Sequence, residues 1–112
     1  MADQLEQQET SRMLLQQTFE AILGNGNVYF QPPPSLLMKY PCIKYDLQSK
    51  DFKYSGNKKY LIFDRYSVTL MDANPDSEYV DALLELPYCR FDRKYKVDQL
   101  SHYVFDCYIT KE

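Results

Sequence analysis

The sequence contains no tryptophan, one histidine and only three glycines, Gly24, Gly26 and Gly56. Without a glycine-rich run there is no loop of the kind that gathers backbone N–H groups around a phosphate. The lone His102 has Ser101 and Asp98 nearby, and Asp106 four residues on in a strand-like run that carries it away from the ring. These do not assemble a nucleophile, a base and an orienting acid, so no catalytic residue is expected and the chain reads as a non-enzyme. Cysteine is sparse too: Cys42, Cys89 and Cys107 are odd in number and widely spaced, with no C-x-x-C pair. That excludes a zinc ribbon or a dithiol redox motif. Each lies in an aromatic, strand-like run, where a free cysteine behaves as a small core residue, so reduced and mostly buried thiols are expected. Lys and Arg number 13 against 16 Asp and Glu, a net charge of -3, and they form no block. A dedicated DNA-binding domain would draw on clustered positive charge. No apolar run is long enough to cross a bilayer, and the polar N-terminus lacks a signal-peptide shape. No membrane association is expected, and the protein should be soluble in the cytoplasm of the cell that makes it.

What the chain does have is 112 residues at 45% hydrophobic content, with eleven Tyr and six Phe. This suits a single domain over residues 1–112, with rings packed on half-buried sheet surfaces. Residues 3–27 read as a first helix. Leu15, Phe19, Ile22 and Leu23 make its apolar stripe, extended back through Met13 or Leu14, and Gly24, Asn25 and Gly26 stop it. Residues 1–10 are expected to fray. A short strand at 28–31 precedes three prolines, which force an extended connector. Residues 40–47 form the next strand, with Ile43, Tyr45 and Leu47 on one face. Residues 60–73 form the strongest, with Ile62, Tyr66, Val68 and Leu70 on one face and Arg65, Ser67 and Thr69 on the other. Two more strands are expected at 88–96 and 103–110, the last with Tyr103, Phe105, Cys107 and Ile109 on one face. Helix, strands, helix, two strands is the order of an α+β domain: a largely antiparallel sheet of four to five strands with two helices packed on it.

Residues 72–87 invite a sharper reading, because Asp72, Asn74 and Asp76 stand two apart like calcium ligands. A calcium loop also needs Gly at its sixth position and Glu at its twelfth. Counting from Asp72, these are Ser77 and Leu83, so no metal site is expected. The same residues suit a helix start: Asn74 as N-cap, Pro75 at the first helical position, and Asp76 and Glu78 in the first turn. Pro87 ends that helix. The densest basic stretch, Arg90 to Lys96, alternates Arg90, Asp92, Lys94 and Lys96 with Phe91, Arg93 and Tyr95. Strict alternation separates most of the cations from the rings, so it reads as a solvent face with cross-strand ion pairs. A surface for nucleic acid would need both on one side.

Residues 48–60 are polar and basic, with Gly56 and Asn57 as turn residues, and read as a projecting hairpin or long loop. Phe52 and Tyr54 sit two apart among Lys50, Lys53, Lys58 and Lys59. Rings on a solvated segment suit an arm that packs on a partner, and these six residues are the candidate interface. The alternative is a mobile surface loop on a monomer.

The stretches "VYFQPP", "YPCIKY" and "VTLMDANPDSE", within a pattern covering residues 13 to 110, resemble a family of tailed-bacteriophage tail terminator or head–tail joining proteins. None of these is a catalytic motif. The resemblance implies an α+β subunit of a homo-oligomeric ring, a hexamer, at the head-proximal end of the tail tube. Such a ring stops tube polymerisation and joins the tail tube protein to the head connector or stopper. It implies a location in the virion neck, with host cytoplasm during assembly, and no cofactor. DNA would pass through without specific binding, which the acidic net charge suits. Another neck or head-closure protein, and a monomeric cytoplasmic protein-binding adaptor, are the alternatives.

Overall fold

The computed structural model describes residues 2–111, with side chains described for all of these except 2–11, 54–55, 59–61 and 111. Its elements are α1 (Ala2–Leu23), β1 (Val28–Phe30), β2 (Cys42–Ser55), β3 (Lys58–Asp72), α2 (Tyr79–Leu84), β4 (Cys89–Val97) and β5 (Leu100–Lys111). The strands form one sheet in the order β1-β2-β3-β5-β4. Only β1–β2 is parallel. The α+β architecture expected from the sequence is therefore the one observed. The N-terminal residues expected to fray belong to the part of α1 whose side chains fall outside the described set.

Both helices pack on one face of the sheet. Leu15, Phe19 and Leu23 of α1 and Leu83 of α2 are buried against Ile43, Tyr45, Tyr66, Val68, Leu70, Tyr103, Phe105 and Cys107. The inward faces of β3 and β5 are those that period-two alternation assigns. Tyr45 sits at the centre, with Phe19 edge-on at 5.6 Å and its hydroxyl donating to Gln16 Oε1 at 2.7 Å. Gln16 Nε2 in turn donates to Val28 O at 3.0 Å. The inner stripe of α1 therefore continues through Gln16 and Arg12, whose guanidinium lies 4.9 Å from the Phe30 ring centroid. It does not continue through Met13 or Leu14, which are both more than half exposed. Spacings of three and four residues back from Phe19 reach Gln16, Leu15 and then Arg12, and leave those two on the outside.

Two expectations are corrected. The helix after β3 begins at Tyr79, not beside Pro75, and Asn74 does not cap it. The short side chains make a series of local turns instead. Asp72 Oδ1 accepts from Asn74 N, Asn74 Oδ1 accepts from Asp76 N, and Ser77 Oγ accepts from Tyr79 N. The buried Tyr103 hydroxyl donates to Pro75 O and accepts from Ser77 N at 3.5 Å, tying the turn to β5. These tertiary bonds satisfy the backbone where a capped helical turn would have used it. The second correction concerns Cys89 and Cys107, which form a disulfide while Cys42 stays free and buried. Strand pairing sets the two cysteines directly opposite each other across β4 and β5, with Cα atoms 4.2 Å apart. A separation of 18 residues gives no hint of that pairing until the hairpin register is known.

Residues 48–60 belong to two paired strands meeting at Gly56 and Asn57, with Gly56 at φ 63. That left-handed conformation is open to glycine without a Cβ clash. Pairing of β3 with β5 stops at Ile62, so the β2–β3 ribbon continues past the sheet. At roughly 3.3 Å per residue it projects about 15 Å. The molecule is accordingly elongated, 49 × 26 × 24 Å.

Candidate assembly interface

The arm places its predicted contact residues unequally. Lys50 is committed near the base: its Nζ lies 3.1 Å from Asp64 Oδ1, and the Asp64 side chain is 2% exposed. A β-bulge between Leu47 and Ser49 turns Lys50 to the same side as Asp64. Phe52 lies outside the hydrophobic cluster and is 39% exposed. Lys53 Nζ stands 5.7 Å from the Phe63 ring centroid. Lys58 is exposed at the turn. The side chains of Tyr54 and Lys59 lie outside the described residues. Phe52, Lys53 and Lys58 are thus exposed at the arm, and Lys50 is exposed at its base while paired with Asp64.

Beside the arm lies a shallow depression of about 560 Å³ that the sequence did not reveal. Phe63, Tyr88 and Tyr108 contribute rings to its lining, with Lys53 and Arg90 as cations and Asp51 as a carboxylate. Pairing explains the assembly. Phe63 stands opposite Asp51 and Thr110, and Arg90 stands opposite Asp106, which places all of these on the face turned away from the helices. The Gly56–Asn57 turn was the one available signal, since counting outward from it brings 51–53 beside 61–63.

The sheet also has two unequal edges. β1 covers only Ile43, Lys44 and Tyr45 of β2, so the rest of that edge of β2 carries no strand. Gln31 Oε1 accepts from Leu47 N at 3.3 Å and satisfies one donor there. At the other edge, every residue of β4 after Cys89 is exposed. Unpaired backbone groups at an edge offer a template for a further strand.

In β4 a bulge falls between Phe91 and Arg93 and resets the alternation. Arg93, Tyr95 and Arg90 now share one side, and Phe91, Lys94 and Lys96 share the other. The ring contacts agree: Tyr95 stacks on His102 at 4.7 Å, Phe91 meets Phe105 edge-on at 5.5 Å, and Lys94 lies 5.1 Å from the Tyr103 ring. The expected separation of cations from rings is therefore corrected. The bulge at Asp92 is invisible to a pattern that assumes a period of two.

Charge is distributed along the long axis. Asp76, Glu78, Asp81 and Glu85, all exposed, lie in the connection after β3, in α2 and at its C-terminal cap, with the cation Lys94 reaching in among them, whereas the arm with Lys53 and Lys58 leaves from the start of β3. Among the described residues no group of three or more His, Cys, Asp or Glu could hold a metal ion. Among the described residues no helix is long and apolar enough to cross a membrane. Burial raises the Cys42 thiol pKa from 9.0 to about 11, slightly opposed by Lys44, which makes it a poor nucleophile at neutral pH. Compared with known protein families and with curated proteins, the chain matches no family model and no curated sequence.

Proposed function

We infer that this chain is a structural subunit that assembles with copies of itself into a ring, and that the ring acts as the resemblance implies. It would close the head-proximal end of a phage tail tube, stop tube polymerisation and join the tube to the head connector. The observation that carries this reading is the β2–β3 ribbon running past the rest of the sheet. A closed ring requires a heterologous contact, in which one patch docks on a different patch of its neighbour. An arm at one end, with an exposed ring and lysines, supplies the first kind of patch. The open edges of β2 and β4 and the acidic surface at the far end supply candidates for the second.

Sedimentation velocity over a range of concentrations, followed by electron microscopy, tests the reading. Rings are expected, and Phe52→Ala with Tyr54→Ala should leave the subunit folded while weakening the ring or its attachment to tails. A species that stays monomeric at every concentration, with and without tail tubes, would favour the adaptor alternative. A folded double variant that caps tails like the parent would remove the arm from the interface.

A further inference from the structure

We propose that the face of the sheet turned away from the helices binds single-stranded nucleic acid, along β4 and β5 and into the depression beside the arm. This goes beyond the ring and does not depend on it. Recognition of a single strand without sequence preference needs cations that follow its backbone and aromatic planes that stack its bases, both on one side. Arg93 and Tyr95 alternate onto the same side of β4, and the bulge before Arg93 brings Arg90 to that side as well. Arg93 stands 5.8 Å from the Tyr95 ring centroid, and Tyr95 lies nearly parallel to His102, with 18° between the planes. His102 Nδ1 lies 3.1 Å from Leu100 O, a contact that puts the hydrogen on Nδ1 and fixes the ring's orientation. Tyr95 is 41% exposed, and the long, solvent-exposed Arg93 side chain over its ring can swing aside to admit a base while staying beside the phosphate.

Further along the same face, Phe63, Tyr88 and Tyr108 line a space large enough for a nucleobase, with Lys53 and Arg90 beside them. Arg65 stands opposite Tyr108 in the β3–β5 register. Its Nε is buried and has no hydrogen-bond acceptor, alone in this among the described side-chain atoms. Asp51 and Asp106 lie on this part of the face and oppose a phosphate, as does Asp92, whose Oδ2 lies 3.4 Å from an Arg93 guanidinium nitrogen. Against these three carboxylates stand the four cations Lys53, Arg65, Arg90 and Arg93, an excess of one positive charge on a molecule that is acidic overall. That local excess, interleaved with rings, selects a flexible anionic strand with flat bases over an acidic peptide, which has the charge but no planes to stack.

The test is fluorescence anisotropy of a labelled oligothymidylate of about ten nucleotides with the full chain in low salt. Saturable binding that weakens as salt rises is expected. Tyr95→Leu should weaken it about tenfold, the lower part of the range for losing one stacked base. Arg93→Gln should weaken it and lower the salt slope by about one. Both side chains are exposed on an edge strand, so both variants keep the fold. Lys58→Gln, at the arm tip, should leave binding unchanged even where it disturbs ring assembly, which separates failure of this proposal from failure of the ring. Absence of binding in low salt, unaltered affinity in Tyr95→Leu, or equal competition by polyglutamate of the same length would each overturn it.

Discussion

Tyr103 shows how one side chain can replace a helix cap. Its ring lies in the core, and its hydroxyl reaches the 74–77 turn, donating to Pro75 O and accepting from Ser77 N. Ser77 is buried, so water cannot take over its N–H if the hydroxyl is lost, whereas Pro75 O keeps a bond from Lys94 Nζ at 3.0 Å. Tyr103→Phe should therefore cost about 1–3 kcal/mol in urea unfolding, the range for leaving buried polar groups unsatisfied. Asn74→Ala loses only an exposed turn bond and should cost clearly less than Tyr103→Phe. Titration gives a second test at this scale. Burial raises Tyr45 from its ordinary 10.0 to about 12, with Arg12 opposing and Tyr66 and Glu20 adding to the rise, and Cys42 is pushed up to about 11. In both cases the folded state keeps a proton that the unfolded chain releases. The associated stability is complete below about pH 9 and is lost as pH rises through 11 and 12. Urea midpoints should fall over that window, and Tyr45→Phe should flatten its upper part.

At the scale of elements, β4 is the strand least supported by burial, since only Cys89 among its nine residues is buried. The Cys89–Cys107 disulfide ties its first residue to the centre of β5. Closing a loop of 18 residues corresponds to about 3 kcal/mol on the chain-entropy account. Reduction, or the pair Cys89→Ala and Cys107→Ala, should lower stability by up to that amount. Amide exchange over residues 90–97 should accelerate more than exchange in β3. Labelling the denatured, unreduced chain should modify Cys42 alone, and three labelled cysteines would remove the disulfide. The same strand shows where the sequence was legible and where it was not. The inward faces of β3 and β5 follow from alternation, because one buried face fixes the parity of every residue along a strand. Parity is lost at a bulge, and three of them, after Leu47, after Lys53 and after Phe91, fall where the candidate surfaces lie. Lys50 therefore turned out to face Asp64, and Arg90 turned out to join Tyr95. The disulfide and the lining of the depression were hidden for a related reason, since they join residues through strand pairing that no local pattern states.

The whole molecule is a rod with unlike ends. β3 alone has 15 residues, about 50 Å at roughly 3.3 Å per residue, comparable with the 49 Å long axis. Its first residue stands at the lysine-bearing arm and its last, Asp72, opens the acidic connection to α2. Opposite charges that far apart cannot neutralise each other within one subunit at physiological salt, where the screening length is about 8 Å. They can do so between subunits placed head to tail, which is the contact a ring requires. Self-association should then weaken as ionic strength rises, since exposed pairs contribute only about 0.2–1 kcal/mol each and salt screens them. Lys58→Glu should weaken assembly and Glu78→Lys should do the same. The two together should recover part of the loss if Lys58 meets the acidic end of a neighbour. Sedimentation velocity of the four proteins at low and high salt measures this. Losses that simply add, with no recovery in the double variant, would mean that the two ends do not meet. Association that strengthens with salt would point instead to an apolar contact, for which the exposed Leu37 and Phe91 are the first positions to change.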